Sequence, residues 1–116
     1  MKKIVAAGIM FAAAIGLAAS AMAAENPVTG TLEDGYCYSI MGAHGSSHKE
    51  CAIKCAKAGI PVMLVQKSGK AYILLPPKNE EPLPKTVMDK MEEKVTVTGK
   101  EYTKGGISFL TVESIK

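Results

Sequence analysis

Arginine and tryptophan are absent from this 116-residue sequence, histidine occurs twice and cysteine three times. Without arginine the chain lacks the planar fork of donors that binds phosphate or carboxylate in bidentate fashion. All 14 basic residues are lysine. Aromatics are sparse as well: after residue 23 they are Tyr36, Tyr38, Tyr72, Tyr102 and Phe109. A strong phosphate footprint and a stacking platform for bases are both missing, which argues against nucleic acid as a partner. Also absent are the thioredoxin-type C-x-x-C, the haem-attachment C-x-x-C-H, G-x-S-x-G, the P-loop and H-E-x-x-H. No enzyme is expected, and thiol redox chemistry is the one enzyme-like option the cysteines leave.

What is present begins with MKKIVAAGIMFAAAIGLAASAMA. Two lysines, an alanine-rich apolar run over Ile4–Ala19 and the small residues of Ala21-Met22-Ala23 have the order of a secretory signal peptide. The run is short for a bilayer span, so residues 1–23 are predicted to be removed rather than to anchor the chain. That leaves 24–116 as one small domain, periplasmic or secreted, with no stable membrane insertion once the signal has gone. Two lysines leave with the signal, so 12 Lys stand against 11 Asp plus Glu, a formal charge of +1. The intact mass of the natural protein is expected to correspond to a chain starting at Ala24. A mass retaining residues 1–23 in a membrane fraction would mean that the segment is an anchor.

Over Gly30–Tyr38 the sequence predicts a first strand. Gly42, Gly45, Ser46 and Ser47 then mark a loop. Ser47 and Glu50 have the spacing of a capping box, which predicts a helix from His48, stopped by Gly59 and Pro61. Ile60–Val65 and Ala71–Leu75 read as a hairpin around Lys67-Ser68-Gly69-Lys70, and their continuous apolar character predicts burial on both faces. Pro76, Pro77, Pro82 and Pro84 make the next segment extended, and Thr86–Glu93 follows as a short helix. Lys94–Thr98 alternates as a strand with a bulge expected at Gly99, and Gly105-Gly106 turns into a last strand over Ile107–Ile115. The expected fold is mainly β with two short helices, a five-stranded OB-fold-like barrel with a helix inserted after strand 1. An α+β sandwich of the same elements is the alternative. The pairs Glu33-Asp34, Glu80-Glu81 and Glu92-Glu93 read as solvated turns or faces.

The chemistry concentrates in HKECAIKC. His48, Cys51 and Cys55 stand at i, i+3 and i+7, on one face of a helix. Residues four apart on a helix are poorly placed for a disulfide with each other, so Cys37 could pair with only one of them and a thiol would be left over. In an oxidising compartment that thiol is a buried filler, half of an intermolecular bond, a reactive group or a metal ligand. A structural disulfide is therefore one expectation, giving a disulfide-stabilised OB-like interaction module for a protein or glycan partner; a thiol redox protein is another. The leading expectation is a Cys3His site of Cys37, His48, Cys51 and Cys55 for a zinc or copper ion, because thiolate and imidazole suit such ions and a metal uses all four groups. A thiolate in the first turn of the helix would also gain from its dipole. His44 reads first as a solvated loop residue and otherwise as a replacement for His48 or a ligand at an open position; Met41 reads first as packing and otherwise as a soft axial ligand for copper.

The run YCYSIMGAHGSSHKECAIKCAKAGIPVMLV resembles small exported bacterial OB-fold-like proteins that share a cysteine, a glycine-containing loop, H-x-x-C-A-x-x-C and G-x-P-V. The resemblance covers about 30 residues and implies that Cys37, His48, Cys51 and Cys55 form one set. It implies no activity, and His44 is not part of its pattern.

Overall fold

In a computed structural model of the chain, residues 25–116 are described; the signal read over 1–23 and its cleavage bond to Ala24 lie outside them. Six strands carry the architecture: β1 (Glu25–Asp34), β2 (Val62–Val65), β3 (Ala71–Leu75), β4 (Lys94–Lys104), β5 (Ile107–Thr111) and the short β6 (Ser114–Ile115). β1 pairs with β2 through Thr31–Asp34 and with β4 through Glu25–Thr31, both antiparallel. β3 runs parallel to β5, and β5 antiparallel to the far end of β4. The order β1-β2-β3-β5-β4 thereby returns to β1 and closes a five-stranded barrel. β6 adds to β4 at Val97 and Thr98. This is the expected OB-like barrel, with a helix inserted after its first strand.

Closure sends alternate side chains inward, the arrangement in which a small barrel fills its own interior. Val62 and Leu64 of β2, Tyr72 and Leu74 of β3, and Val95 and Val97 of β4 are buried together with Val28, Leu32, Leu110 and Val112. The two hairpin strands are therefore not buried on both faces. Met63, Val65 and Ile73 are half-buried, and so is Phe109, because only one face of each strand meets the interior. Leu74→Ala is expected to cost about 2–5 kcal/mol, because the barrel wall relaxes only partly around the lost volume. Urea unfolding measures it, and a near-neutral result would contradict the inward placement of Leu74.

Helix α1 (Lys49–Lys57) lies against β1 and the short α2 (Lys85–Asp89), and inserts Ala52 and Ala56 into the core alongside Val87 and Met91. Its end follows the sequence signal. The Ile60 N–H donates to the Cys55 carbonyl and the Gly59 N–H to that of Ala56, with Gly59 at φ 99°, the paired bonds of a Schellman stop. Its start does not. A 3-10 turn over Ser46–His48 precedes the helix, and no side chain caps it, so the capping box does not form.

Other boundaries also move. β1 begins at Glu25 and stops at Asp34, so Cys37 does not end a strand but opens a π-helical turn, Cys37–Met41. α2 ends at Asp89, and the stretch expected to complete it turns so that the Glu92 N–H donates to Leu32 and the Leu32 N–H to Glu93. The last strand is broken at Val112 and Glu113. Gly99 is no bulge: β4 runs on through it, and its missing side chain makes room for the Thr111 carbonyl.

Candidate metal centre

Asp34 ends β1 with its side chain fully buried. Just beyond it the Gly35 N–H donates to the Pro61 carbonyl at 2.7 Å, which holds the chain as it turns away from the sheet. The backbone then coils through Tyr36 into the π-helical turn, and the Cys37 N–H donates to Asp34 Oδ2 at 2.9 Å. That bond is of the kind an N-cap aspartate makes to the third residue of a helix. The other carboxylate oxygen, Oδ1, lies 3.0 Å from His48 Nε2, which arrives on the 3-10 turn at the head of α1. One buried carboxylate therefore fixes both the cysteine that follows it and the histidine fourteen residues on.

Cys37 faces α1. Its sulfur and those of Cys51 and Cys55 lie within 4.8 Å of one another, and so do ligand atoms of Asp34, Cys37 and His48. Cys37 is buried, Cys55 half-buried and Cys51 exposed, so the sulfur cluster grades from core to solvent. The arrangement is geometrically compatible with a metal-coordinating site. All three cysteines are free thiols, and the expected disulfide is not formed: the cysteine pairs stand 4.0–4.4 Å apart, against about 2.0 Å for a bonded pair. The regular turn of α1 separates Cys51 from Cys55, while the Asp34 bond sets the position of Cys37.

The electrostatics follow from burial and from Asp34. Burial alone would raise the Asp34 pKa, but the Cys37 backbone N–H, His48 and the Cys37 thiol together hold it below the ordinary aspartate value. Burial pushes the Cys37 thiol up to about 12, helped by the neighbouring Asp34 charge and by Cys55, and burial also raises Cys55. A raised pKa lowers the share of nucleophilic thiolate at both positions.

Of the sequence-predicted residues, Cys37, Cys51 and Cys55 come together, and His48 reaches Cys37 from the Asp34 side. His44 is exposed and meets the edge of Tyr38, at 6.4 Å between ring centres. Met41 is exposed too, on the outside of the π-helical turn, rather than packed. The acidic pairs need a larger correction. Glu33, Asp34 and Glu92 are buried, not solvated. Glu92 holds a left-handed backbone, φ 66°, and its Oε1 accepts the Gly45 N–H at 2.6 Å, tying the glycine-rich loop to the start of β4. Next to it Glu93 pairs on the surface with Lys49 at the head of α1. Asp34 could have been found from sequence, since an aspartate three residues before Cys37 is a favoured N-cap. Glu92 left no local signal, because its partners lie 47 and 59 residues away.

No protein-family model matches this chain, and neither does any curated protein or solved structure.

Proposed function

We propose that this is a small exported binding domain that holds a soft or borderline metal ion, copper(I) or zinc, at the cluster of Cys37, Cys51, Cys55 and His48. Its role is binding rather than turnover. The observation that carries this reading is the spacing of the free thiols, 4.0–4.4 Å apart on two separate elements. Two thiolates on a tetrahedral zinc with bonds of about 2.3 Å stand about 3.8 Å apart, and three around a trigonal ion with the same bonds about 4.0 Å apart. A contraction of a few tenths of an ångström would bring all three sulfurs onto one ion. Thiolate and imidazole suit copper(I) and zinc, whereas calcium and magnesium require oxygen shells that are not offered here.

Export fits the amino-terminal signal read in the sequence. Among the described residues no helix is long and apolar enough to cross a membrane.

Because the raised thiols must give up their protons, affinity should increase with pH. Titrating metal-stripped protein with zinc, or with copper(I) under reducing conditions, is expected to show one equivalent bound. The melting temperature is expected to rise by roughly 10 °C or more, since binding energy becomes folding energy when the site exists only in the native state. His48→Ala should lower zinc affinity and that gain together, and His44→Ala neither. If neither ion binds, or binding leaves the melting temperature unchanged, the reading is wrong.

A further inference from the structure

Cys37 belongs to two ligand groups at once: Cys37, Cys51 and Cys55 on one side, Asp34, Cys37 and His48 on the other. The groups differ in chemistry and in depth. The first is all sulfur and opens to solvent at Cys51, on a helix whose exposed face also carries Lys54 and Lys57. The second is oxygen, nitrogen and sulfur. Its Asp34 side chain is wholly buried, Cys37 is 6% exposed and the His48 side chain 12%.

We propose that the domain has two overlapping and mutually exclusive ion positions sharing the Cys37 thiolate: Cys37, Cys51 and Cys55 for copper(I), and Asp34, Cys37 and His48 for zinc. The inference rests on the reading above that this cluster holds a metal, and adds which residues select the ion.

Charge and softness both support the division. Zinc with one carboxylate, one thiolate and a neutral imidazole is uncharged overall, the state a buried pocket tolerates best. Copper(I) with three thiolates keeps a net charge of −2, which belongs at an opening to water rather than in a buried pocket. Copper(I) gains little from a carboxylate, whereas zinc has no geometric preference and accepts all three donor types, with a fourth position left for water. The distances fit as well. Asp34 Oδ1 and His48 Nε2 face each other at 3.0 Å, and two such ligands on a tetrahedral zinc with bonds of about 2.0 Å stand about 3.3 Å apart. Zinc entering there takes Nε2; the ring proton moves to Nδ1, and the Cys37 thiol releases its proton to solvent. Two cations on the one Cys37 sulfur, with bonds of about 2.3 Å, would stand at most about 4.6 Å apart, and their repulsion makes filling either position empty the other.

Metal-stripped protein, isolated as cells produce it, would be titrated with copper(I) under reducing conditions and with cobalt(II) as the spectroscopic stand-in for zinc. Cobalt should give about one third of the thiolate charge-transfer intensity of a three-thiolate set, and one equivalent of copper(I) should expel it. Cys51→Ser and Cys55→Ser should weaken copper(I) by at least about 100-fold and move cobalt by less than about threefold, while His48→Gln should do the reverse. Cys37→Ser should lose both. Cys51 is exposed, so its variant keeps the test valid even if a change at buried Cys37 impairs folding. Full three-thiolate cobalt intensity, with cobalt lost in Cys51→Ser as well, would overturn the two positions in favour of a single four-ligand site and leave the metal-binding reading intact. Absence of binding by either ion would overturn both.

Discussion

Gly99→Ala is expected to prevent folding or to cost more than about 3 kcal/mol, well above the usual effect of adding one methyl group. A Cβ at this position would sit 1.6 Å from the Thr111 carbonyl oxygen and 2.7 Å from its carbon, backbone atoms with no rotamer to change. Neither strand is free to withdraw. Gly99 is held on one side by pairing with Asn26, while the Lys100 N–H donates to Thr111 Oγ1 at 3.0 Å and the Glu113 N–H to the Thr98 carbonyl at 2.9 Å. Here β4 exchanges β6 for β5 as its outer partner, and the glycine lets the crossing chain come close. Gly30, where a Cβ would approach the Val65 carbonyl oxygen to 2.6 Å, is a second contact of this kind. Circular dichroism and urea unfolding of the Gly99 variant provide the measurement. Stability close to that of the parent would mean that the barrel does not close in this way.

A second large effect is expected from pH. Glu33 is buried beside Glu92, and burial first, then hydrogen bonding and repulsion from Glu92 and the charge on Asp34, push its pKa from 4.5 up to about 8. Neither Glu33 Oε1 nor Glu92 Oε2 receives a hydrogen bond from a protein donor among the described residues, and a proton on Glu33 supplies the donor for the side-chain hydrogen bond between the two glutamates. An acid with a raised folded pKa stabilises the fold fully below its unfolded value, and this contribution is lost as pH rises through the folded one. The metal-free protein should therefore lose stability between about pH 4.5 and 8, with a fall in melting temperature of roughly 5 °C or more. Asp34 acts in the opposite sense: its lowered pKa adds stability above the unfolded value of 3.8, which is lost in stronger acid. Glu33→Gln should flatten the slope between pH 4.5 and 8 and leave the acid limb in place. A melting temperature that climbs over that interval would refute the proton on Glu33.

Much of the barrel was legible because its strands carry their own punctuation. Gly59 and Pro61 end α1 where local rules place the stop, and Lys67–Lys70 turns the hairpin as read. Boundaries failed where tertiary contacts outweighed local preference. Ser47 loses its capping role to the 3-10 turn that delivers His48 to Asp34, and the end of α2 unwinds so that Glu92 and Glu93 can pair with Leu32. At the site, periodicity put Cys51 and Cys55 on one helix face, where they meet Cys37, whereas His48, expected on the same face, lies on the 3-10 turn before the helix and meets Cys37 beside Asp34. The acidic residues resisted reading because charge alone implies water. Glu33, Asp34 and Glu92 are kept inside by partners distant in sequence or by backbone amides, which composition does not reveal.

β1 is the strand that closes the barrel, and its last residue is the carboxylate that positions Cys37 and His48. Amide hydrogen exchange at the site should consequently occur in two regimes. The Cys37 N–H, bonded to Asp34, can open only when the end of β1 loosens, and should exchange on the slow timescale of the sheet. The Gly45 N–H, held by a single bond to Glu92, should exchange with the loop, orders of magnitude faster. The deep half of the cluster thus shares the kinetic lifetime of the fold, and the loop beside it does not.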